Sequence, residues 1–285
     1  MEPEATSLAP MLYLCATPIG NMEDITLRAI RVLGAVAAVY CEDTRRTGAL
    51  LTKLNIKKPL ASCRRENEAA RAQEIVARVL AGEAVAYVSD AGMPGVSDPG
   101  ERLVSACVAA GAPFTVIPGA SAMTAALVLS GLPAANACFV GFLPRETGAR
   151  RAALGSIARH KGTLVFYESP LRVSATAREL AEKLGDRSAA LCRELTKLHE
   201  EVARGTLGGI AEQYAQTPPK GECVLVVAGA PEDAGMPEQD ALSLAAQLAA
   251  SGLRAKEAAA ELAGRAGISK NEAYSLIRQI KRGEG

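Results

Sequence analysis

Three loops rich in proline, glycine and small side chains each follow a predicted β-strand in the first half of the chain. Small residues let backbone N–H and C=O groups reach a ligand directly. In open α/β sheets, the carboxyl ends of the strands form the crevice where ligands bind. One such loop is usually only a tight turn, but three predict a pocket for a small molecule. The loops cover residues 17–21, 89–100 and 118–122, after predicted strands 11–16, 84–89 and 114–117.

The familiar motifs of other enzyme classes are missing. No GxGxxG follows the first predicted strand, and no GxxxxGK[ST] occurs in the chain. This argues against dinucleotide oxidoreductases and P-loop NTPases. Seven cysteines without CxxC spacing argue against a zinc knuckle or a disulfide framework, and two histidines, His160 and His199, are too few to build a metal site.

Charge is distributed unevenly along a chain whose net charge is only +1. Residues 41–65 hold seven basic and two acidic side chains, and residues 145–172 hold six basic and two acidic ones. Such segregation suits a protein that presents a basic face to a polyanion. The alternative is an ordinary solvated surface, in which Arg64 and Arg65 pair with Glu66 and Glu68 and contribute little.

A stretch without any charged residue, 103–144, is the only segment that suggests a membrane. Prolines at 113, 118 and 133 divide it, and no piece free of proline reaches the roughly 20 residues that a spanning helix needs. We therefore interpret it as buried core. The N-terminus lacks the basic start of a signal peptide, so a cytoplasmic protein without a membrane segment is expected.

The elements that position the loops alternate between strands and helices, which indicates an α/β fold. Most predicted strands are continuous apolar runs, as expected for a largely parallel sheet buried on both faces. Predicted helices include 66–81 and 170–184. We predict an N-terminal α/β domain at 11–118, a C-terminal α/β domain at 119–230 and a small helical tail at 238–283. The other predicted strands are 36–41, 138–142, 162–167, 188–193, 201–206 and 222–228.

The tail has the sequence pattern of a helix pair. A helix over 253–265 ends at Gly267, and Ser269 with Glu272 forms a capping box for the next helix. Basic residues lie off its apolar stripe, which resembles a helix-turn-helix. A small helical cap on the main body explains the pattern equally well.

Seven short motifs in order resemble those of the tetrapyrrole methylase superfamily and, within it, the enzymes that methylate RNA of the small ribosomal subunit. The resemblance covers residues 11–228 and extends into the tail. Two positions depart from the pattern: residues 63–68 lack a histidine-rich stretch, and Ala120 replaces a proline. The motifs are residues 17–21, 41–47, 89–100, 141–144, 166–170, 193–201 and 220–222.

The resemblance implies methyl transfer from S-adenosylmethionine to the ribose 2′-hydroxyl of a cytidine in 16S rRNA, within the assembled 30S subunit. It implies two α/β domains with the cofactor in a trough between them, a homodimer and no metal. One further cofactor contact lies within residues 222–225. The remaining implied contacts with S-adenosylmethionine are Pro18, Asp90, Met93, Ser121, Ala122 and Tyr167. Without the resemblance, Asp90 would be interpreted as a turn cap and Ser121 as a helix N-cap.

A ribose hydroxyl is a poor nucleophile, so a base that takes its proton would assist the transfer. Glu168, Glu42 and Asp43 end strands that face the trough, and Glu168 is the first choice because it follows an implied cofactor contact; it could instead cap helix 170–184. Few aromatic residues argue against base stacking, so phosphate contacts fix the position of the RNA. Their candidates are Arg45, Arg46, Arg64, Arg65, Arg193 and Lys197.

Two other functions remain open at this stage. A methyltransferase of a corrinoid or porphyrin would share the pocket, but it would not need the basic clusters or the helical tail. An RNA-binding module without catalysis would need the basic clusters but not the small-residue loops.

Overall fold

A computed structural model describes residues 8–97, 100–231 and 238–283 of the chain. The first sheet is entirely parallel, in the order β3-β2-β4-β1-β5. Every residue of β1, β2 and β4 is buried, because helices cover both faces of a parallel sheet. The strands are β1 (Leu12–Cys15), β2 (Ala38–Cys41), β3 (Leu60–Ser62), β4 (Val85–Val88) and β5 (Phe114–Ile117).

Two helices pack on each face of this sheet. Tyr40 and Tyr87 are fully buried beneath α3 and α4, whereas Val88 lies on the opposite face, in the core to which α1 contributes Leu33 and α2 contributes Leu51. The apolar spacing of residues 66–81 is confirmed as a helix, although it begins at Glu68. The helices are α1 (Leu27–Ala35), α2 (Thr44–Lys53), α3 (Glu68–Leu80) and α4 (Glu101–Ala110).

The second sheet also has five strands, in the order β6-β7-β10-β8-β9. Two clusters of buried side chains cover its faces, one of them contributed by α5. Its strands are β6 (Cys138–Gly141), β7 (Leu164–Glu168), β8 (Ser188–Arg193), β9 (Glu201–Thr206) and β10 (Cys223–Val227), and its helices are α5 (Ala122–Ser130), α6 (Thr147–Ile157), α7 (Val173–Leu184) and α8 (Leu207–Gln213).

The expectation of a largely parallel arrangement is wrong for the second sheet. Only β6 and β7 are parallel, while β10 pairs antiparallel with β7 and β8, and β8 pairs antiparallel with β9. Helices still bury both faces, so the strands are continuous apolar runs whichever way they point. An apolar run reports burial and carries no information about direction. β3 was missed as a strand because it is only three residues long and follows Pro59.

The charge-free stretch 103–144 is not a buried core throughout, which corrects the prediction. Val108, Phe114, Val116 and Val128 are exposed large apolar residues within it. Phe114 and Val116 lie on β5, which pairs only with β1 and is therefore an edge strand. None of the helices in the three described ranges is long and apolar enough to cross a membrane.

The tail forms a three-helix unit with its own buried cluster, made of α9 (Glu238–Ala250), α10 (Ala255–Ala266) and α11 (Lys270–Gly283). Gly267 ends α10 in the left-handed conformation (φ 67°), and the Ser269 hydroxyl accepts a hydrogen bond from Glu272 N at 3.2 Å. Arg159 donates to the carbonyl of Arg265, which joins the tail to the main body. Residues 232–237, between the second predicted domain and the tail, lie outside the described residues.

The two sheets fall within the predicted ranges 11–118 and 119–230, while the domain limits themselves stay a prediction. The loops of the two halves meet at Gly20, where an added Cβ would lie 2.5 Å from Lys197 Cγ. Asn21 N donates to Thr196 Oγ1 at 3.0 Å across the same contact. The carboxyl ends of the first sheet therefore lie against the second half of the chain.

Candidate active site

The loops after β1 and β4 are held together by backbone hydrogen bonds. Thr17 N donates to Gly92 O at 2.9 Å, and Gly92 N donates to Thr17 O at 3.0 Å. The Thr17 hydroxyl adds a bond to Ser89 O at 3.2 Å. This pairing fixes the two loops relative to each other at the carboxyl ends of the parallel strands β1 and β4, where ligands bind in such sheets.

The loop after β5 approaches β1 equally closely. An added Cβ at Gly119 would lie 2.8 Å from Ala16 Cβ, so no other residue fits there without a shift. Ser121 is the N-cap of α5, and its hydroxyl accepts from Thr124 N at 3.5 Å. The alternative interpretation of Ser121 as an N-cap therefore describes its contact in this structure.

These loops form one wall of a cleft of about 390 Å³, here called the apolar cleft. Its other wall comes from the ends of β7 and β10 in the second sheet. The cleft therefore lies between the two halves of the chain, where the trough was predicted. It is lined by Ile19, Ala91, Gly92, Met93, Val96, Ser97, Ser121, Ala122, Phe142, Tyr167, Glu168, Ser169, Pro170, Gly221, Glu222, Cys223 and Val224.

Four of the six predicted cofactor residues line this cleft: Met93, Ser121, Ala122 and Tyr167. The segment 221–224 at the start of β10 also lines the cleft, and it overlaps residues 222–225, within which a further cofactor contact is predicted. Phe142 was missed, although it belongs to the recognised motif 141–144. Its ring centroid lies 5.7 Å from that of Tyr167, in an edge-to-face arrangement.

The residues of the apolar cleft fit an adenosyl group with a thioether chain. The volume lies within the range of ordinary small-molecule sites, and the walls are apolar with a few polar groups. An added Cβ at Gly92 would lie 3.3 Å from Ile19 Cγ2, and Gly221 has a φ of +84°. Backbone without side chains thus borders the cleft on two sides, which lets a ligand approach the main chain closely.

Pro18 and Asp90 do not line the apolar cleft. Both border a separate cleft that also contains Arg46 and Thr47. Asp90 Oδ1 accepts from Asp43 N at 3.1 Å, and its Oδ2 lies 3.2 Å from Arg46 Nη1. Asp90 thus fixes the start of α2, which resembles the cap that residue type alone suggested, and its role toward a cofactor stays a prediction.

A second cleft of about 590 Å³, here called the polar cleft, opens at the ends of β2, β3 and β4. Charged side chains make up most of its wall. Ser97 lines both this cleft and the apolar one, and an added Cβ at Gly141 of the second sheet would lie 3.2 Å from Ser97 Oγ. The polar cleft is lined by Glu42, Asp43, Arg45, Arg64, Arg65, Glu66, Asp90 and Ser97.

The four arginines of the basic segment lie on this side of the first sheet. Arg45 and Arg46 are 87% and 69% exposed at the side chain, and they pair with Asp43 at 3.0 Å and Asp90 at 3.2 Å. Arg64 Nε donates to the backbone carbonyl of Glu42 at 3.0 Å. Arg65 is exposed beside it in the same cleft.

The alternative that Arg64 and Arg65 pair with Glu68 is wrong. The Glu68 side chain is buried and accepts from Gly100 N at 2.8 Å and from Arg102 N at 3.1 Å. It therefore satisfies N–H groups at the start of α4, which have no partner within that helix.

Arg193 and Lys197 are separated from the other predicted RNA contacts. Arg193 Nη2 lies 2.5 Å from Glu201 Oε2, across the β8–β9 pair. Lys197 Nζ lies 2.8 Å from Glu194 Oε1 and 3.1 Å from Glu222 Oε2. Both cations form ion pairs with carboxylates of the second half of the chain. Neither of them lines the polar cleft.

Glu168 borders the apolar cleft, but its carboxylate is occupied. It is 3% exposed, and Arg172 Nη2 lies 2.6 Å from Oε1, which also accepts from Ser169 N at 2.7 Å. Oε2 accepts from the Thr176 hydroxyl at 2.7 Å. These contacts match the alternative of a cap at the start of α7, and they disfavour Glu168 as a free base.

A sequence profile of the tetrapyrrole (corrin/porphyrin) methylases matches residues 11–211, which include the polar cleft and all of the apolar cleft except its segment 221–224. The chain belongs to the tetrapyrrole methylase family. The family and the fold class predicted from the sequence motifs are thereby confirmed. No group of three or more His, Cys, Asp or Glu suited to a metal ion occurs within the residues that the structure describes.

Relatives of this methylase match it over nearly their whole length. The ribosomal RNA small subunit methyltransferase I of Synechocystis sp. is 42% identical over 95% of this chain and 98% of its own. The protein of the same name from Mesorhizobium japonicum is 42% identical, over 100% of this chain and 97% of its own.

A solved structure supports the fold. The uroporphyrin-III C-methyltransferase of Thermus thermophilus, complexed with S-adenosylhomocysteine, superposes with a TM-score of 0.55 at 24% identity. The match covers 76% of this methylase and 97% of that chain.

Proposed function

We propose that the chain transfers the methyl group of S-adenosylmethionine to the ribose 2′-hydroxyl of a cytidine in 16S rRNA, in the cytoplasm. The observation that carries this proposal is the pair of adjoining clefts, one apolar and one lined by arginines and carboxylates, with Ser97 in the wall of both. An apolar cleft suits the cofactor, and the exposed arginines of the other cleft suit contacts with a phosphate backbone. The relatives of this length are named for the RNA of the small ribosomal subunit.

The apolar cleft holds the cofactor in this proposal. S-adenosylmethionine supplies an activated methyl group on a sulfonium centre, so the protein has mainly to align it. Met93, Ser121, Ala122 and Tyr167 line the cleft, together with the segment 221–224. These residues would surround the adenosyl and thioether parts and exclude water from them. The acceptor oxygen must then lie in line behind the methyl carbon at about 3 Å.

The polar cleft receives the RNA. Arg45, Arg46, Arg64 and Arg65 lie on its side of the sheet, and guanidinium groups form bidentate hydrogen bonds with phosphate. Such contacts position the strand without reading its bases. The chain has four Phe, six Tyr and no Trp, so the RNA is recognised mainly by shape and charge, as presented in the assembled 30S subunit.

A homodimer is part of the same proposal. β5 is an edge strand whose side chains Phe114 and Val116 are exposed on one face, and no charged residue occurs from 103 to 144. Uncharged edge strands invite pairing, and proteins normally protect them. A second copy covers this edge, because a two-fold contact sets the same uncharged patch against itself without burying charge.

The function is tested by incubating the purified protein with labelled S-adenosylmethionine and either 30S subunits or a uroporphyrin-type macrocycle. Label in 16S rRNA, mapped to a ribose by resistance to alkaline hydrolysis, is the expected result. Label in the macrocycle alone would favour the corrinoid or porphyrin alternative. Binding of RNA without any transfer would leave only an RNA-binding module.

A further inference from the structure

Carboxylates are the groups near the two clefts that could take a proton from an acceptor hydroxyl. Three of them are already engaged. Glu168 is held by Arg172, Ser169 N and Thr176; Asp90 accepts from Asp43 N and pairs with Arg46. The third, Asp43, accepts from both the backbone and the side chain of Arg45, which lowers the pKa of its carboxyl to about 2.

Glu42 differs from these three. It follows β2 directly, is half-buried and lines the polar cleft. Arg64 binds its backbone carbonyl, and no hydrogen bond or ion pair engages the Glu42 carboxylate among the residues that the structure describes. Glu66 also lines this cleft, but its side chain is exposed, so water weakens its interactions with neighbouring charges.

The surroundings of Glu42 make its carboxylate a stronger base than that of an ordinary glutamate. Burial, followed by the Asp90 carboxylate, raises the pKa of the Glu42 carboxyl, and the cations Arg46, Arg64 and Arg65 oppose this rise. A base with a raised pKa holds a transferred proton more strongly than an ordinary carboxylate. The charged groups around it are Asp90 from the β4 loop, Asp43, Arg45 and Arg46 from the start of α2, and Arg64, Arg65 and Glu66 from the β3 loop.

We propose that Glu42 is the catalytic residue that accepts the proton of the ribose hydroxyl during methyl transfer. This inference rests on the proposed function. The hydroxyl proton moves to Glu42 Oε while the ribose oxygen forms a bond to the methyl carbon. The bond from that carbon to sulfur breaks, and its electron pair stays on sulfur as a neutral thioether. Glu42 then returns its proton to solvent through the open polar cleft.

The position of Ser97 supports the role of Glu42 as the proton acceptor. It lines both clefts, and the segment Ala91–Met93 that leads to it follows Asp90 of the polar cleft directly. A hydroxyl that reaches from the polar cleft toward the apolar one therefore passes Ser97, in a cleft that Glu42 also lines. Glu168 lies across the apolar cleft and orients Arg172 and the start of α7.

The test compares Glu42→Gln with the wild type in single-turnover methylation of 30S subunits. The expected result is a fall in rate of about 10²–10⁴-fold, with affinities for S-adenosylmethionine and for 30S subunits unchanged within about twofold, since only the proton acceptor is lost. Glu182→Gln, an exposed glutamate on α7, is the matched control and should keep the wild-type rate. Affinities are measured by calorimetry and filter binding.

The pH profile gives a second readout. The wild-type rate should rise with pH through the raised pKa of Glu42 and then level off, because the base must be unprotonated. Glu42→Gln should lose this rise, and Glu42→Asp should keep it at a reduced rate. Glu42→Asp also serves if Glu42→Gln does not fold, as judged by circular dichroism.

The possible failures are distinguishable. A wild-type protein that does not methylate 30S subunits would refute the proposed function itself. A wild type that methylates while Glu42→Gln does so at an equal rate, or with an unchanged pH profile, would refute only the role of Glu42. Loss of 30S affinity in Glu42→Gln with a normal rate at saturation would also refute it, since Glu42 would then bind substrate.

Discussion

At the scale of single residues, several glycines near the apolar cleft stand where a side chain would have no room. Gly119 lies against Ala16, and Gly20 lies against the 195–197 segment of the other half. Gly221 combines a close approach with a left-handed φ of +84°, which only glycine adopts at little cost. An added Cβ there would overlap the Glu194 side chain, whose Oε1 accepts from Lys197 Nζ and Glu222 N.

We expect Gly221→Ala to weaken both stability and cofactor binding. The left-handed φ and the displacement of Glu194 together should lower the free energy of unfolding by about 2–4 kcal/mol. Affinity for S-adenosylmethionine should fall, because Gly221 lines the apolar cleft. Denaturant unfolding and calorimetry measure the two effects.

Gly252→Ala is the matched control, since Gly252 has a φ of +80° and no atom within 4 Å of an added Cβ. It should cost only about 1–2 kcal/mol for its conformation and leave cofactor affinity unchanged. Equal losses in the two variants would mean that Glu194 is not displaced at Gly221.

At the scale of elements, the exposed edge of β5 is the feature that the isolated chain leaves unexplained. Its neighbour β1 is buried, while Phe114 and Val116 are 37% and 42% exposed. A parallel sheet normally buries its strands on both faces, so this exposed edge supports the proposed homodimer.

We expect Val116→Lys to shift the protein from dimer to monomer, because a two-fold contact would place two like charges in a desolvated interface. Light scattering coupled to gel filtration measures the mass. Leu80→Lys, a change of the same type at an exposed position of α3, should leave the dimer intact. A wild type that is already monomeric, or a Val116→Lys protein that stays dimeric, would contradict this interface.

At the scale of the whole molecule, acidic and basic side chains nearly balance, but basic side chains are concentrated in the segment 41–65, part of which lines the polar cleft. The net charge of +1 gives no hint of an RNA partner, yet residues 41–65 alone hold seven basic side chains. A local patch of this kind attracts a polyanion, and each phosphate contact releases condensed counterions.

Arg64→Ala combined with Arg65→Ala should weaken binding to 30S subunits and flatten its dependence on salt. On duplex DNA each lost contact changes the slope of log K against log salt by roughly 0.9, and folded RNA should give a similar order. Filter binding at several salt concentrations measures the slope, and affinity for S-adenosylmethionine should not change.

The control removes the same charge from α1, through Arg28→Ala with Arg31→Ala, both exposed and outside the polar cleft. This pair should leave the slope close to that of the wild type. An equal flattening in both double variants would indicate a general charge effect rather than contacts in the polar cleft.

The sequence by itself determined the family, the α/β class, nine of the ten strands among the described residues, and four of the six predicted cofactor residues that the structure places in the apolar cleft. Motifs such as 89–100 combine residue types that a loop at a strand end requires, so each can be recognised from its own segment of sequence. Strand direction in the second sheet could not be predicted, because an apolar run looks the same in either direction.

Only the tertiary structure decided which carboxylate is available. Glu168, Asp43 and Glu42 all end or follow strands, and nothing local in the sequence separates them. Arg172 and Thr176 engage Glu168, Arg45 engages Asp43, and Glu42 alone of these three keeps an unengaged carboxylate in the polar cleft. The reason is physical: the partners of Glu168 and Asp43 are only two to eight residues away in the sequence. Arg45 and Arg46 are equally near to Glu42 in the sequence, so only the folded backbone decides which carboxylate each cation reaches.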